Sequence, residues 1–343
     1  MMARPSTFLF YACGDSNKAS SRVRVHWVVE ELRKTRHHCE IFHVDSKFSL
    51  LRFAIKIPFY DVVVFQKTYS RWHVKLLQLA KCLGKKTVLD LDDAPSRTKN
   101  ATTLGNVERM MNLASLVSVG SQNLFDYASE HQDRVALIPS SIKLSNYELK
   151  RHADGSGPAC LGWIGNGRHY QQDLVEILVP VLHDLTQRHS LRLKIVGACG
   201  ERELYDAFSK VRGLELDFID QLDWSDAGAI AHATSDFDIG LYPLLKNDFN
   251  DFKCGFKALE YMASGIPVVS SNVAINASIV QHGQSGFMVE GNEQWQDAIE
   301  RLVESPGLRK AMGQAGREIV KQRFDVKDAA NLLANLVQSP IGE

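Results

Sequence analysis

The sequence predicts an α/β chain folded as two domains. Three observations carry this. From residue 7 onward, short runs of buried-strand composition alternate with amphipathic helical stretches, the rhythm of βα units in a parallel sheet. The rhythm breaks over residues 143–158, a polar stretch with Gly155, Gly157 and Pro158, and then restarts. The length, 343 residues, suits two domains of ordinary size. The expected boundaries are a first domain over 1–142, a linker over 143–158, a second domain over 159–324 and a last helix over 325–343.

Composition is globular, with 45% hydrophobic residues, and formal charges balance at 40 basic against 40 acidic. Their distribution is uneven: residues 1–86 hold sixteen Lys and Arg against six Asp and Glu. A basic front quarter on an acidic body implies an anionic partner. There is no nucleic-acid recognition motif and no regular basic–aromatic interleaving, so an anionic membrane surface is the preferred partner and nucleic acid is not. The six cysteines are scattered without C-x-x-C or metal spacing, as expected of reduced thiols in cores. No apolar run approaches ~20 residues, so nothing is expected to span a bilayer. Residues 7–12 are too short for a signal-peptide core. The expected location is cytoplasmic.

Taken in order, residues 7–11 form the first strand. The loop 12–20 has one glycine and no G-x-G-x-x-G, which weakens a dinucleotide reading. The next helix runs from Ser21 through Leu32 and opens on Ser20-Ser-Arg-Val-Arg24. Such a start binds an anion through backbone N–H groups and Arg22, or is a Ser N-cap with two surface arginines; the plainer account fits Arg24 better than Arg22. Residues 39–44 are a second strand. Residues 48–60 mix large apolar side chains with Arg52 and Lys56, the pattern of an interfacial amphipathic segment or of an ordinary helix packed on a sheet. A third strand (61–66), a helix (67–84) and a fourth strand (86–91) follow. That strand closes on Asp90-Leu-Asp-Asp93, and carboxylates at the C-terminal end of a parallel strand face the ligand crevice. Asp92 and Asp93 either line that crevice or cap the next helix. An Asp-x-Asp element also invites a divalent-metal reading. Strand 114–120, a helix 122–129 capped by Ser121, and strand 134–139 complete the first half.

The second half opens with strand 159–164 and the turn Gly165-Asn-Gly-Arg-His169. Glycines there allow close backbone approach to a ligand, and Arg168 suits a phosphate. A helix (173–189) and strands at 191–197, 214–219 and 236–242 follow. The stretch from Asn250 to Ser271 then organises the chain as loop, helix, tight turn and strand. Phe256, Leu259, Tyr261, Met262 and Ala263 fit one helical face, Gly265 sits at the helix C′ position and Pro267 stops continuation. Lys253 and Lys257 stand one turn apart at the helix start, where free N–H groups favour a phosphate. Glu260, one turn on, can accept two hydrogen bonds from the vicinal hydroxyls of a ribose. Taken alone, the pattern reads either as a nucleoside-diphosphate cradle or as a solvated amphipathic helix with a Lys–Glu pair.

Glu260 through Val269 resembles the donor-site signature of GT-B glycosyltransferases of the large retaining GT4 family: a Glu, seven residues, a second Glu, then Met-Ala-x-Gly-x-Pro-Val-Val. Glu260 matches the second Glu, the ribose ligand in that family. Phe252 stands at the first Glu, so Asp248 or Asp251 becomes the candidate for its contact to the donor sugar. The Lys253…Lys257…Glu260 spacing, Trp163-Ile-Gly165 and the Ser-Arg-x-Arg element resemble a bacterial subgroup of the family. Ala274 stands where a glycine is common.

The resemblance implies two Rossmann-like domains facing a central cleft, with a terminal helix that crosses back to the first. It implies sugar transfer from a UDP- or GDP-sugar to a glycan or lipid-linked acceptor, with retention and with no cofactor or bound metal. Lys257, Lys253 and Arg168 are expected to stabilise the departing diphosphate. Glu260, Gly165, Asn166, Gly167, Asp251 and Tyr261 are expected at the donor, and Arg22, Asp92 and Asp93 on the acceptor side. Two alternatives keep the fold: a sugar-nucleotide epimerase, and a non-catalytic nucleotide-binding or scaffold protein with a degenerate donor site.

Overall fold

The computed structural model describes residues 5–43, 47–93, 101–150, 157–273 and 275–339. Val44, residues 151–156 of the expected linker and Ala274 lie outside the described residues. The chain forms two compact units. The first comprises Met1–Lys143, Asp251–Cys254 and Phe324–Glu343; the second comprises Leu144–Asn250 and Gly255–Arg323.

In chain order the elements begin β1 (Thr7–Ala12), α1 (Ala19–Ser21), a π-helical turn (Arg22–His26), α2 (Trp27–Lys34), β2 (His38–His43) and α3 (Lys47–Lys56). A 3-10 turn (Ile57–Phe59) then leads to β3 (Val62–Gln66), α4 (Arg71–Cys82), β4 (Lys86–Leu91), α5 (Ala101–Leu113), β5 (Leu116–Val119), α6 (Gln122–Ser129) and β6 (Val135–Leu137). The second series is β7 (Ala159–Ile164), α7 (Gly167–Leu185), β8 (Leu191–Val196), α8 (Arg202–Phe208), β9 (Leu214–Ile219), α9 (Ala227–Thr234) and β10 (Ile239–Tyr242). After a 3-10 turn (Asn250–Phe252) come α10 (Phe256–Ala263), β11 (Val268–Ser271), α11 (Asn276–Ile279), β12 (Gly286–Val289), α12 (Gly291–Glu304), α13 (Pro306–Arg323) and α14 (Val326–Gln338).

Each unit is built on one six-stranded sheet, ordered β2-β1-β3-β4-β5-β6 in the first and β12-β11-β10-β7-β8-β9 in the second. All the pairings are parallel. The strands read as near-continuous apolar runs because helices cover both faces: every residue of β3, β5, β10 and β11 is buried. Tyr11, Phe53, Phe65 and Leu89 centre the first core; Trp163, Leu178, Leu193 and Phe208 centre the second. Strand order reverses beside β1 in the first sheet and beside β7 in the second. Ligands of open α/β sheets bind at such switch points, beyond the carboxyl ends of the strands.

The last helix is part of the first unit. α14 packs along α2, and Val326, Ala330, Leu333 and Val337, spaced for one helical face, are buried. Its backbone is fixed by Ile142 N–H to Phe324 O (2.7 Å) and Val326 N–H to Ile142 O (3.0 Å). Lys86 Nζ donates to Val337 O (2.5 Å) and Arg134 Nη2 to Leu336 O (2.7 Å).

Helices depart from the sequence expectation more than strands do. α5, α8 and α9 were not expected. α7 begins at Gly167 rather than 173, so Arg168 and His169 lie in its first turn instead of a loop. α4 begins at Arg71 because Lys67 has φ 51° and Ser70 caps the helix. All six cysteines are free; Cys39, Cys160 and Cys254 are buried, whereas Cys82 is exposed. Among the described residues no helix is long and apolar enough to cross a membrane.

Candidate active site

In the second unit, the ends of β7 and β10 and the starts of α7 and α10 bring several expected residues together. The glycines of the β7–α7 turn make close packing possible. A Cβ on Gly167 would stand 2.6 Å from Ala198 O, and one on Gly197 would collide with Gly165 O. Gly167 N–H donates to Gly197 O at 2.7 Å, locking the β7–α7 turn against the end of β8. A Cβ on Gly165 would stand 2.5 Å from Lys257 Cε and 2.8 Å from the Trp163 ring, so the lysine stem lies directly over this turn.

Lys257 is buried, and its ammonium sits among three rings. Nζ lies 3.5 Å from the centroid of Tyr170, 5.4 Å from Trp163 and 5.3 Å from Tyr242. Ring faces are electronegative, so such a cage holds a cation in place at about 0.5–2 kcal/mol for each good contact. Trp163 and Tyr242 come from the ends of β7 and β10, Tyr170 from the first turn of α7 and Lys257 from the first turn of α10. One turn further along α10, buried Glu260 accepts a hydrogen bond from Tyr147 Oη at 3.1 Å. α10 is preceded at its N-cap by Gly255, whose φ of 62° favours glycine and whose added Cβ would run into Ile279 Cδ1. Asp173 braces the preceding loop, accepting from Leu245 N–H (2.7 Å) and Asn250 Nδ2 (2.8 Å).

The first unit has its own charged cluster at the carboxyl ends of β3, β4 and β5. Arg24, on the π-helical turn, grips Asp90 in a two-pronged pair, Nε to Oδ2 at 3.0 Å and Nη2 to Oδ1 at 2.5 Å. It also donates to Ile138 O (2.5 Å) and Ser118 Oγ (3.2 Å). Burial opposes the guanidinium charge, but Asp90 outweighs it and raises the pKa. Lys67 reaches Asp93 (2.7 Å) and Asp92 (3.5 Å). Burial opposes this ammonium too, and the two carboxylates outweigh it, so its pKa is raised. Asp92 is pushed up, first by burial and then by the neighbouring Asp93 and Asp90 charges against the pull of Lys67. Two cations thus face three carboxylates. Cys254 donates Sγ–H to Asp92 O (3.1 Å) and, through burial, its thiol is pushed up to about 12. Arg22 folds back on the loop after β1, donating to Ser16 O (3.2 Å) and Asn17 O (3.4 Å).

Structural comparison decides the architecture. The chain superposes on sucrose-phosphate synthase from Thermosynechococcus elongatus with a TM-score of 0.72 at 15% identity, over 97% of this chain and 98% of that one. It superposes on HepE from Anabaena in complex with UDP with a TM-score of 0.71 at 15% identity, over 96% and 98%. The fold is GT-B. Residues 158–305 match the family Glycosyl transferases group 1. A D-inositol 3-phosphate glycosyltransferase of Pseudarthrobacter chlorophenolicus is 25% identical over 258 residues, 71% of this chain and 60% of the relative. The chain therefore spans about three-fifths of that relative's length.

Within this GT-B chain the expected donor residues separate into four groups. Gly165, Gly167, Lys257 and Glu260 converge in the second unit as described, and Asn166, between the two glycines, accepts from Cys199 Sγ (3.7 Å). Tyr261 is wholly buried in that unit's core, where its hydroxyl accepts from Ile164 N–H (3.1 Å) and donates to Leu241 O (3.2 Å); it ties β7 to β10. Arg168 is on the surface and donates Nε–H to Glu201 (2.6 Å), whose hydrogen bond raises its pKa. Asp248 is exposed in the loop after β10. Asp251 and Lys253 fall in the segment that packs with the first unit, where Asp251 O accepts from Asn123 Nδ2 (2.8 Å). Of the residues expected at the acceptor, Asp92 and Asp93 share Lys67, and Arg22 opens the π-helical turn and donates to the loop after β1. Sequence reasoning missed the cage tyrosines 170 and 242, the Tyr147 contact, Lys67 and the Arg24–Asp90 pair. Aromatic residues ending β7 and β10, Trp163 and Tyr242, were the available signal.

Proposed function

We propose that the protein is a retaining, GT4-like glycosyltransferase of the hexosyltransferase type. It takes a UDP- or GDP-sugar and transfers the sugar to a lipid-linked or cell-surface glycan precursor in polysaccharide biosynthesis. The reading is carried by the caged Lys257 over the Gly165 turn with Glu260 one turn away, within the segment that matches the glycosyltransferase family. HepE, whose fold is similar, has been solved with UDP-glucose. In this reading Glu260 takes the ribose, the Gly165-Asn166-Gly167 turn admits the diphosphate, and Lys257 stabilises the charge that develops on it as the sugar leaves. Arg168 adds positive charge, Asp248 meets the sugar, and Arg22, Asp92 and Asp93 serve the acceptor. No metal or other cofactor takes part, and nucleic acid is not a partner. The enzyme works in the cytoplasm, with an anionic membrane surface as partner of residues 1–86.

The test is thermal stabilisation by UDP, GDP, ADP, CMP and NAD. A ligand at a hundred times its dissociation constant should add about 2.7 kcal/mol. The expected result is a response to UDP or GDP that fades in Glu260→Gln, a change that keeps an acceptor for Tyr147. Lys257→Ala should lower turnover about 100-fold or more. If none of the five nucleotides stabilises the wild type, the donor-site reading is wrong.

A further inference from the structure

α3 and the 3-10 turn after it expose an apolar stripe that no element among the described residues of the unit covers. Phe48 is 77% exposed, Leu51 60%, Ile55 61% and Phe59 75%. These are the residues a solvent-facing helix would normally make polar. The opposite side of the helix and turn is anchored: Phe53 and Ile57 are fully buried, and Ser49 Oγ meets Tyr11 Oη at 2.9 Å. The outward stripe is therefore held rigidly.

α4 runs alongside. Tyr11 touches both Ser49 and His73, near the starts of the two helices, and Lys85 Nζ donates to Pro58 O (2.7 Å) near their ends. α4 and its end add Trp72, 48% exposed, with Leu79 and Leu83. Arg71 and Lys75 flank the Trp72 ring at 5.4 and 4.7 Å. Between residues 47 and 86 the chain carries nine Lys and Arg and one acid, Asp61. That acid is already engaged, accepting from Thr7 N–H (2.8 Å) and Thr7 Oγ1 (2.9 Å). Glu40, on the neighbouring β2, is held by Lys56 (3.2 Å) and Tyr60.

We infer that the α3–α4 face docks on an anionic lipid bilayer, with Phe48, Leu51, Ile55 and Phe59 entering the headgroup–acyl boundary. Arg52, Arg71 and Lys75 meet lipid phosphates, and Trp72 sits at headgroup level. A contiguous apolar patch of this kind marks an interaction surface, and large apolar side chains fringed by cations are what an anionic interface selects. The charge fringe is what favours lipid over a second copy of the chain, since two such faces would repel. The proposal deepens the membrane partnership in the functional reading above and rests on it only for the location of the acceptor.

The test is co-sedimentation of the full chain with vesicles of phosphatidylcholine carrying 30% phosphatidylglycerol (about one lipid in three, enough for a negative surface potential), and with phosphatidylcholine alone. The wild type should pellet with the anionic vesicles, weakly with the neutral ones, and less as salt rises. Phe48→Ser/Leu51→Ser/Phe59→Ser should weaken binding at least roughly tenfold, and Arg71→Glu/Lys75→Glu should weaken it independently. Both variants should keep the wild-type circular dichroism and nucleotide response, which separates this proposal from the donor-site reading. Wild type that stays in the supernatant at low salt overturns the proposal, as does a triple-serine variant that pellets like wild type. A lipid-free dimer that the serine variant dissolves, without vesicle binding, overturns it in favour of a second copy.

Discussion

Arg24 and Asp90 are both almost withdrawn from water, with side chains 4% and 9% exposed. An unpaired charge in such a place is costly, and here four of the five guanidinium N–H groups are directed: two to Asp90, one to Ser118 and one to the carbonyl of Ile138. The arginine therefore ties the π-helical turn to the ends of β4, β5 and β6. Arg24→Ala should destabilise the first unit by about 3–5 kcal/mol, because Asp90 is left buried without its partner. Urea unfolding would measure this; a loss below 1 kcal/mol would mean that water replaces the guanidinium. Arg22, two residues earlier, is spent on a loop. The sequence offered the two arginines as near equals, and only the three-dimensional neighbourhood of Asp90, 66 residues away, distinguishes them.

At the scale of the element, α4 is started by a reciprocal cap that makes it sensitive to acid. Ser70 Oγ accepts from His73 N–H, and His73 Nδ1 accepts from Ser70 N–H at 3.1 Å. Nδ1 must be unprotonated to do so. Burial holds the His73 pKa down at about 4 against an ordinary 6.5. The unfolded chain then binds the proton first as pH falls. The stability from this group is whole above pH 6.5 and is lost progressively toward pH 4, by about 3 kcal/mol in all. His73→Gln keeps a capping acceptor but does not titrate, so it should flatten the pH 4–6.5 dependence of the unfolding midpoint. An unchanged slope would place the acid sensitivity elsewhere. The same element shows where sequence reading stops. Strand runs such as Val62-Val63-Val64-Phe65 are legible because burial on both faces demands unbroken apolar residues. Helix starts are less so. Gly167 looks like loop, yet it opens α7 because only glycine leaves room for Ala198 O. The donor motif around Glu260 was legible because it is local in sequence. The aromatic cage was not, since its members come from four separate elements.

At the scale of the molecule, each unit assembles from distant pieces of chain. Phe324–Glu343 joins a unit whose main part ends at Lys143, and so does Asp251–Cys254, which interrupts the second unit. A cut at the Gly-rich stretch after residue 143 would therefore not yield two complete domains. Removing residues 325–343 should expose the α2 face that Val326, Leu333 and Val337 cover and cost the first unit roughly 5 kcal/mol. Calorimetry should show one transition moving down and the other unmoved. A common shift of both would mean that the units unfold as one.

The packing of α14 on α2 also sets an order of events at the ribosome. Domains usually close from the N-terminus as they emerge, but here the second unit has all its residues at Arg323, before α14 exists. α2 waits for a partner that follows the end of its own main segment by about 195 residues. At 5–20 residues per second that is roughly 10–40 s. Throughout that interval the growing chain carries a finished sheet with one helix face bare, which makes the nascent first unit, rather than the mature protein, the species most in need of a chaperone.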